Sequence, residues 1–357
     1  MKKILFVVEA FEGGVFMHMA NLSNQLCKHF DVYIAYGMRP KTHKDFAKYF
    51  DSRVKLILIE DFTISMSPGK DYKAVKELLK LKKEIKPDLI HLHSSKAGVL
   101  GRIAFSGSKQ PLLYTPHGWA FLKLDDSALT RSIYRIIEKV CTFRKSSIVA
   151  TSQGEYDEAR KLTKNVHLIN NGIDTEGLTP FFDPKVTPQT APVIYTLGRI
   201  CYQKNPALLN SVAERLPQYK FLWVGDGDMR DVVTSPNIEI LGWGPRDESL
   251  RDMGNASIFI LTSLWEGLPL SLLEAMYLRK VCIVSNVIGN RDVIHSGVNG
   301  IVANNVDEYV NAITGIIEGT TDWKKLLDNA SDDVDNEYNM VVMANKYTDY
   351  YNKLIAG

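Results

Sequence analysis

The sequence predicts an α/β protein made of two domains, each with a parallel sheet. Three observations predict it. A chain of 357 residues exceeds what one ordinary core holds, since domains run to roughly 100–200 residues. Short apolar, β-branched runs alternate with helix-length amphipathic segments throughout, the pattern of repeated strand–helix–strand units. That series restarts after Asn171-Gly172, across a stretch carrying Pro180, Pro184, Pro188 and Pro192. The boundary is therefore placed there, with a first domain at 1–175 and a second at 176–335. Residues 336–357, rich in Tyr (Tyr338, Tyr347, Tyr350 and Tyr351), read as a last helix that packs in its own domain or returns to the first.

Taken in order, the strand candidates of the first half are residues 4–8, 32–35, 54–59, 89–93, 112–114, 148–151 and 166–169. Each is short and apolar, as strands covered on both faces are. The first follows Met1-Lys2-Lys3 and begins like a secretion signal. Its apolar run stops at Glu9, short of the roughly 7–15 residues such a signal core needs, so it reads as a strand. The second half offers 193–197, 220–224, 238–241, 257–262, 281–285 and 300–303. No apolar run approaches the roughly 20 residues of a membrane span, and no repeat at solenoid periods is present. Cys27, Cys141, Cys201 and Cys282 lack metal or redox spacing, which fits buried thiols in a reducing compartment and a cytoplasmic location.

Net charge is +2, but it is unevenly spread. Lys and Arg outnumber Asp and Glu by 28 to 18 over residues 1–175, and are outnumbered 15 to 23 beyond them. Two segments carry the excess. Residues 70–86 hold Lys70, Lys73, Lys76, Lys80, Lys82, Lys83 and Lys86. Residues 131–145 interleave Arg131, Arg135, Lys139, Arg144 and Lys145 with Ile133, Tyr134, Ile136, Ile137, Val140 and Phe143. Such helices are either solvated surface or peripheral contacts with an anionic lipid surface at the inner face of a plasma membrane. Nucleic acid is excluded as a partner, because the aromatics fall at helical core spacing and no recognition module is present.

The chemistry concentrates at strand ends. Trp265-Glu266-Gly267-Leu268-Pro269-Leu270-Ser271-Leu272-Leu273-Glu274 follows an apolar strand and opens a helix, with Pro269 suited to its first turn. Backbone N–H groups at such a helix start favour an oxygen-rich anion, and Glu266 and Glu274 accept bonds from hydroxyls. A nucleotide sugar offers both. Gly198-Arg199 and Lys204 follow another strand, where a guanidinium and an ammonium would hold a diphosphate and stabilise it as it leaves. Gly225-Asp226-Gly227-Asp228 also follows a strand; its glycines allow a close backbone approach, and its two carboxylates read as a turn rather than ligands for a hard cation. In the first half, Gly13 and Gly14 open a helix expected over 17–29 and would let the chain pass near phosphates, without the third glycine of the dinucleotide fingerprint. His117-Gly118-Trp119 sits at a strand end. His91 and His93 alternate along a strand, so one faces a cleft and the other the interior.

Together these motifs resemble family 4 of the retaining glycosyltransferases. Glu266 to Glu274 is similar to its Glu-x7-Glu signature, and Gly13-Gly14, His117-Gly118, Asn170-Asn171-Gly172-Ile173-Asp174 and Gly198-Arg199 with Lys204 fall in the family's order over nearly the whole chain. The resemblance implies a GT-B architecture, two Rossmann-like domains facing across a central cleft, with the last helix crossing back to the first. It implies that Glu274 binds the ribose hydroxyls of the donor, and Arg199 and Lys204 its diphosphate. Glu266 and the amides of Gly267, Leu268, Pro269 and Leu270 then lie along the sugar, with Gly13, Gly14, Gly198 and Gly225 lining the donor site. His117, with Glu266, Arg199 and Lys204, completes the catalytic set. No metal or other cofactor is expected, and the anomeric configuration is retained. The turn Gly-Leu-Pro-Leu departs from the family's frequent Gly-Phe-Gly-Leu-Pro, which leaves the donor sugar open. The expected reaction moves a sugar from a nucleotide diphosphate, a UDP-sugar foremost, to a hydroxyl of a lipid-linked saccharide or oligosaccharide acceptor, as in bacterial surface polysaccharide assembly. The alternatives are a nucleotide-sugar epimerase of the same fold, which needs no acceptor, and a non-catalytic sugar-binding protein.

Overall fold

A computed structural model describes residues 1–9, 11–39, 42, 45–63, 67–190 and 192–357. The chain divides into two units. Unit 1 holds Met1–Leu122, Asp126–Gly172 and Met340–Gly357, and unit 2 holds Lys123–Asp125 and Ile173–Asn339.

In unit 1 seven strands form one parallel sheet: β1 (Lys3–Val8), β2 (Asp31–Tyr36), β3 (Lys55–Leu58), β4 (Leu89–His93), β5 (Leu112–Thr115), β6 (Ser147–Ala150) and β7 (Val166–Leu168), in the order β3-β2-β1-β4-β5-β6-β7. Strand β1 lies inside the sheet between β2 and β4, with Val8 opposite both Tyr36 and His93. Alternation along it feeds two cores, because successive side chains leave opposite faces of a strand. Ile4, Phe6 and Val8 enter one layer with Met19 and Leu22 of the helix Gly13–Leu26 and Tyr347 and Tyr351 of the helix Met340–Ala356. Leu5 and Val7 enter the other with Ala74, Leu78, Leu81 and Ile85 of the helix Pro68–Ile85. Burying each such aliphatic side chain contributes about 1.5–3 kcal/mol.

Unit 2 repeats the plan with six strands: β8 (Val193–Leu197), β9 (Lys220–Val224), β10 (Ile238–Gly242), β11 (Ile258–Leu261), β12 (Val281–Ser285) and β13 (Ile301–Ala303), in the order β10-β9-β8-β11-β12-β13. Both sheets therefore reverse direction of growth beside their first strand, between β1 and β4 and between β8 and β11. Ligands of open α/β sheets bind outside the carboxyl ends of strands at such a switch point.

Two helices differ from the sequence expectation. The first begins at Gly13 rather than at residue 17, so the glycine pair is its opening turn. At the end of the chain a helix Trp323–Asn336 stops before the helix Met340–Ala356 begins. The Asn339 side-chain amide donates to the Asp335 carbonyl at 2.7 Å, which satisfies a carbonyl left open at that helix end. No helix among the described residues is long and apolar enough to cross a membrane.

Candidate active site

The loops after β8, β9 and β11 meet at the switch point of unit 2. The turn Tyr202–Lys204 is clipped to the β11 loop by the Leu264 amide donating to the Gln203 carbonyl at 2.8 Å and by Thr262 Oγ1 donating to the Lys204 carbonyl at 2.7 Å. That anchoring sets Lys204 Nζ 2.5 Å from Glu266 Oε1, with both side chains largely buried. A charge-assisted bond of this kind is among the strong ones. Gln203 Nε2 donates to the Trp265 carbonyl at 2.9 Å and fixes the other side of the same turn.

Glycines let the backbones close up around this pair. A Cβ on Gly225 would lie 2.0 Å from the Gly198 carbonyl oxygen, and one on Gly289 would lie 2.0 Å from the Gly267 carbonyl oxygen. Both positions also have positive φ, +140° and +86°, so a larger side chain would be strained and would clash. Arg199 is exposed on the loop between Gly198 and the buried Ile200.

Glu274 sits inside the helix Leu270–Tyr277 and is buried. Its Oε1 accepts from Arg246 Nη2 at 2.5 Å, which compensates a carboxylate taken out of water. A carboxylate has about four acceptor positions, so Glu274 keeps capacity for hydroxyl donors. Pro269 is the cap residue and Leu270 the first helical one, with Leu268 and Leu270 buried. Leu268 and Leu270 thus contribute backbone to the turn while their side chains enter the core.

Arg246, Gln203 and Trp243 were missed from sequence. Arg246 opens a polar helix, Arg246–Asn255, and nothing in its spacing ties it to Glu274. Trp243 follows β10, is more than half exposed, and its ring lies 3.5 Å from the position of a Cβ on Gly225; an exposed Trp after a strand was the available signal. Asp226 accepts from the Gly227 amide at 2.8 Å and lies 3.3 Å from Arg230, the bonding of a turn.

Unit 1 gathers imidazoles instead. His117 follows β5 with φ +54°, a conformation costing a non-glycine residue about 1–3 kcal/mol. Its turn is held by Glu155, which accepts from the Gly118 amide at 2.5 Å and from Thr151 at 2.8 and 3.0 Å. His117 Nε2 pairs with His93 Nδ1 at 2.9 Å, while His91 bonds Tyr351 Oη at 2.6 Å and Thr115 Oγ1 at 2.9 Å. His91 and His93, two positions apart on β4, leave the same face of the strand, with ring centroids 4.1 Å apart and both rings fully buried, so the expected split between cleft and interior is not seen. Burial holds His91, His93 and His117 well below the usual imidazole range. Gly13 and Gly14 have open space where a Cβ would sit; positive φ at Gly13, rather than close approach, accounts for the first of them. A further buried carboxylate, Glu9, accepts from Ser94 Oγ and from the Ala97 amide at 3.0 Å; in the sequence it marked only the end of an apolar run. Cys27, Cys141 and Cys282 are buried as expected, and Cys201 is half-buried.

A pair of sheets in this order, the second with carboxylates and cations at its switch point, defines a glycosyltransferase of GT-B fold. The chain belongs to glycosyltransferase family 4: residues 12–177 match the model described as Glycosyltransferase Family 4, and residues 179–333 the one described as Glycosyl transferases group 1. It is 28% identical over 346 residues, spanning 87% of this chain and 86% of the relative, to the UDP-Gal:alpha-D-GlcNAc-diphosphoundecaprenol alpha-1,3-galactosyltransferase of Escherichia coli. It is 26% identical over 351 residues, 92% and 93% of the two chains, to a Campylobacter jejuni alpha-1,4-N-acetyl-D-galactosaminyltransferase whose named acceptor is an oligosaccharide on diphosphoundecaprenol. Among solved structures, Anabaena Alr3699/HepE in complex with UDP and glucose shares the fold at a TM-score of 0.80 and 17% identity, over 99% of this chain and 100% of that one. Both of these sequence relatives are named for sugar transfer, and the epimerase alternative finds no support in them.

Proposed function

We propose that this glycosyltransferase moves a sugar from a UDP-sugar to a hydroxyl of a lipid-diphosphate-linked saccharide, with retention and without a metal, in the assembly of a cell-surface polysaccharide. The observation that carries the reading is the Lys204–Glu266 pair on the loops beyond β8 and β11, with Glu274 buried on the helix that follows. The names of the Escherichia coli and Campylobacter jejuni relatives, both acting on diphosphoundecaprenol-linked sugars, support the acceptor class. UDP in the HepE structure supports the nucleotide.

In this mechanism Arg199 and Lys204 take the charge that grows on the diphosphate as the bond from the anomeric carbon to phosphate oxygen breaks. Lys204 turns from Glu266 to the phosphate, and Glu266 is released to accept from sugar hydroxyls. His117 acts on the donor sugar. The acceptor oxygen bonds the anomeric carbon on the face the phosphate leaves, and its proton passes to the departing phosphate oxygen. Glu274 accepts from the ribose hydroxyls, and the Trp243 face takes the base.

A surface helix of unit 1 supports action at the inner face of a membrane. On Ala128–Cys141, Leu129, Ile133, Ile136 and Val140 form one exposed apolar face, continued by Phe143, with Arg131, Arg135 and Lys139 alongside and Arg144 and Lys145 just beyond. By contrast, the apolar residues Ala74, Leu78, Leu81 and Ile85 of the lysine-rich helix Pro68–Ile85 are buried in the core. That helix exposes only Tyr72 and Leu79 among its large apolar residues, so Ala128–Cys141 offers lipid the broader apolar face beside charge.

The test is incubation of the full chain with UDP-hexoses and UDP-N-acetylhexosamines, each with and without a lipid-diphosphate-linked sugar acceptor. An acceptor-dependent product with retained anomeric configuration by NMR, formed in EDTA, is expected. An inverted product, or activity lost in EDTA and restored by Mn²⁺, contradicts the mechanism; a changed donor without acceptor restores the epimerase.

A further inference from the structure

The histidines of unit 1 form a constellation of their own. Ring nitrogens of His18, His93 and His117 all lie within 4.8 Å of one another. Three separate elements supply them: the helix Gly13–Leu26, the end of β4 and the turn after β5. The ring centroids lie 4.7 Å apart for His18 and His117, edge-on, 5.2 Å for His93 and His117, stacked, and 5.7 Å for His18 and His93, tilted.

His18 is the informative member. It is 1% exposed; its polar contact is with the Asn171 side chain, outside full hydrogen-bond geometry for either ring nitrogen, and His93 Nε2 likewise lacks a bond of that geometry. An unmade bond at a buried polar group costs about 1–3 kcal/mol, and one contact to Asn171 leaves a His18 ring nitrogen to be satisfied by a ligand. Burial keeps these rings neutral, holding His18 down at about 4 although the Asn171 side chain pulls the other way. Neutral imidazoles are the form that binds borderline cations such as Zn²⁺, Co²⁺, Ni²⁺ and Cu²⁺. His117, the half-buried member, leaves one side of the triangle open, and three protein ligands with an open fourth position form an accessible site rather than a sealed structural one.

We propose that His18, His93 and His117 bind one divalent d-block cation, and that its binding inhibits transfer by withdrawing His117. The ion is not a cofactor for the reaction: it replaces the His93–His117 hydrogen bond with bonds from both rings to the metal, and takes His117 from the donor sugar. The inhibitory clause rests on the role given to His117 under the proposed function; the binding clause stands without it.

The experiment uses the untagged full-length chain, freed of metal and titrated with Co²⁺ and Zn²⁺. Expected are one Co²⁺ per chain with the visible absorption of a tetrahedral ion, displacement by Zn²⁺, and affinity weakened more than about 100-fold in His18→Gln, beyond the roughly 10–100-fold typical of outer-shell partners. His93→Gln gives the same loss, so that a folding defect in one variant does not decide the matter; melting curves monitor both. Binding unchanged in both folded variants, or no binding to the wild type, overturns the site. Stoichiometric Zn²⁺ is expected to lower transfer by the wild type and to spare His18→Gln at the same concentration. Binding without inhibition overturns the inhibitory clause alone, and absence of transferase activity in metal-free protein is a failure of the proposed function, not of the site.

Discussion

The two units share a strand order but not a chemistry. At the switch point of unit 1 lie neutral, buried imidazoles, whereas the corresponding point of unit 2 holds Lys204 against Glu266, with Arg246 against the buried Glu274. The same topology therefore supplies the place, and the loop residues decide what is bound there. Unit 2 is equipped for an anionic, hydroxyl-rich ligand. Unit 1 also keeps one carboxylate at its switch point, Glu9, with Arg39 at 3.6 Å, but the most deeply buried ion pair among its described residues lies elsewhere: Arg102 Nη2 meets Glu138 Oε2 at 2.6 Å beneath Tyr114, with Arg102 fully buried.

That contrast can be broken most severely at Arg102. Its replacement by Ala leaves Glu138 buried without its partner, and such losses cost about 3–5 kcal/mol. A fall of that size in the unfolding free energy of unit 1 is expected, read by denaturant titration. Lys204→Ala acts on the other unit and on turnover, with an expected loss of about 2.7–4 kcal/mol of transition-state stabilisation, or 10²–10³ in kcat. A normal kcat would mean that Lys204 only holds the loop.

A third difference concerns pH. Lys280, between the helix Leu270–Tyr277 and β12, is buried; desolvation lowers its pKa from 10.5 to about 8, while Asp183 and Cys282 oppose the shift. Its Nζ donates to the Gly254 carbonyl at 2.6 Å. In the unfolded chain Lys280 stays protonated up to about 10.5, so between pH 8 and 10.5 the unfolded state binds more protons and stability rises with pH. A cost of about 3 kcal/mol is fully present below pH 8 and relieved by pH 10.5. Relative to Lys280→Met, the wild type should gain stability over this interval in thermal melts, and a constant difference would refute the assignment.

Smaller effects sharpen the comparison. Trp243→Ala should raise the KM for the donor, at the roughly 1–3 kcal/mol of a base–aromatic stack, and leave kcat within a few fold. In unit 1, Ile136→Glu with Phe143→Glu should reduce sedimentation with phosphatidylglycerol vesicles and leave transfer to a short soluble acceptor intact; unaltered sedimentation would move the membrane contact elsewhere.

Much of this was legible beforehand, for a physical reason. Strands covered on both faces are largely apolar, so β4, β8, β9 and β12 could be read residue for residue despite His91, His93 and Lys220, and the other nine to within one position at an end. The placement of Lys204, Glu266 and His117 just beyond strands was legible, because each follows an apolar run in the sequence. It was not legible where a partner comes from another loop. Arg246 reaches Glu274 from 28 positions away, and no periodicity marks such a pair. His18 was hidden for the opposite reason: on an amphipathic helix it occupies a core position, and only the packing against His117 and His93 reveals three imidazoles together. The exposed apolar face of the helix Ala128–Cys141 lay between, since sequence supplied its charge and periodicity but not which side the core would take.

The central claim is that the charged switch point of unit 2 grips the nucleotide diphosphate. Calorimetric titration of UDP into the wild type, Glu274→Ala, Lys204→Ala and His117→Ala tests it most directly. The account predicts binding to the wild type, loss of about tenfold or more in affinity with either unit 2 variant, and near-wild-type UDP affinity in His117→Ala. UDP binding untouched by both Glu274→Ala and Lys204→Ala would contradict it.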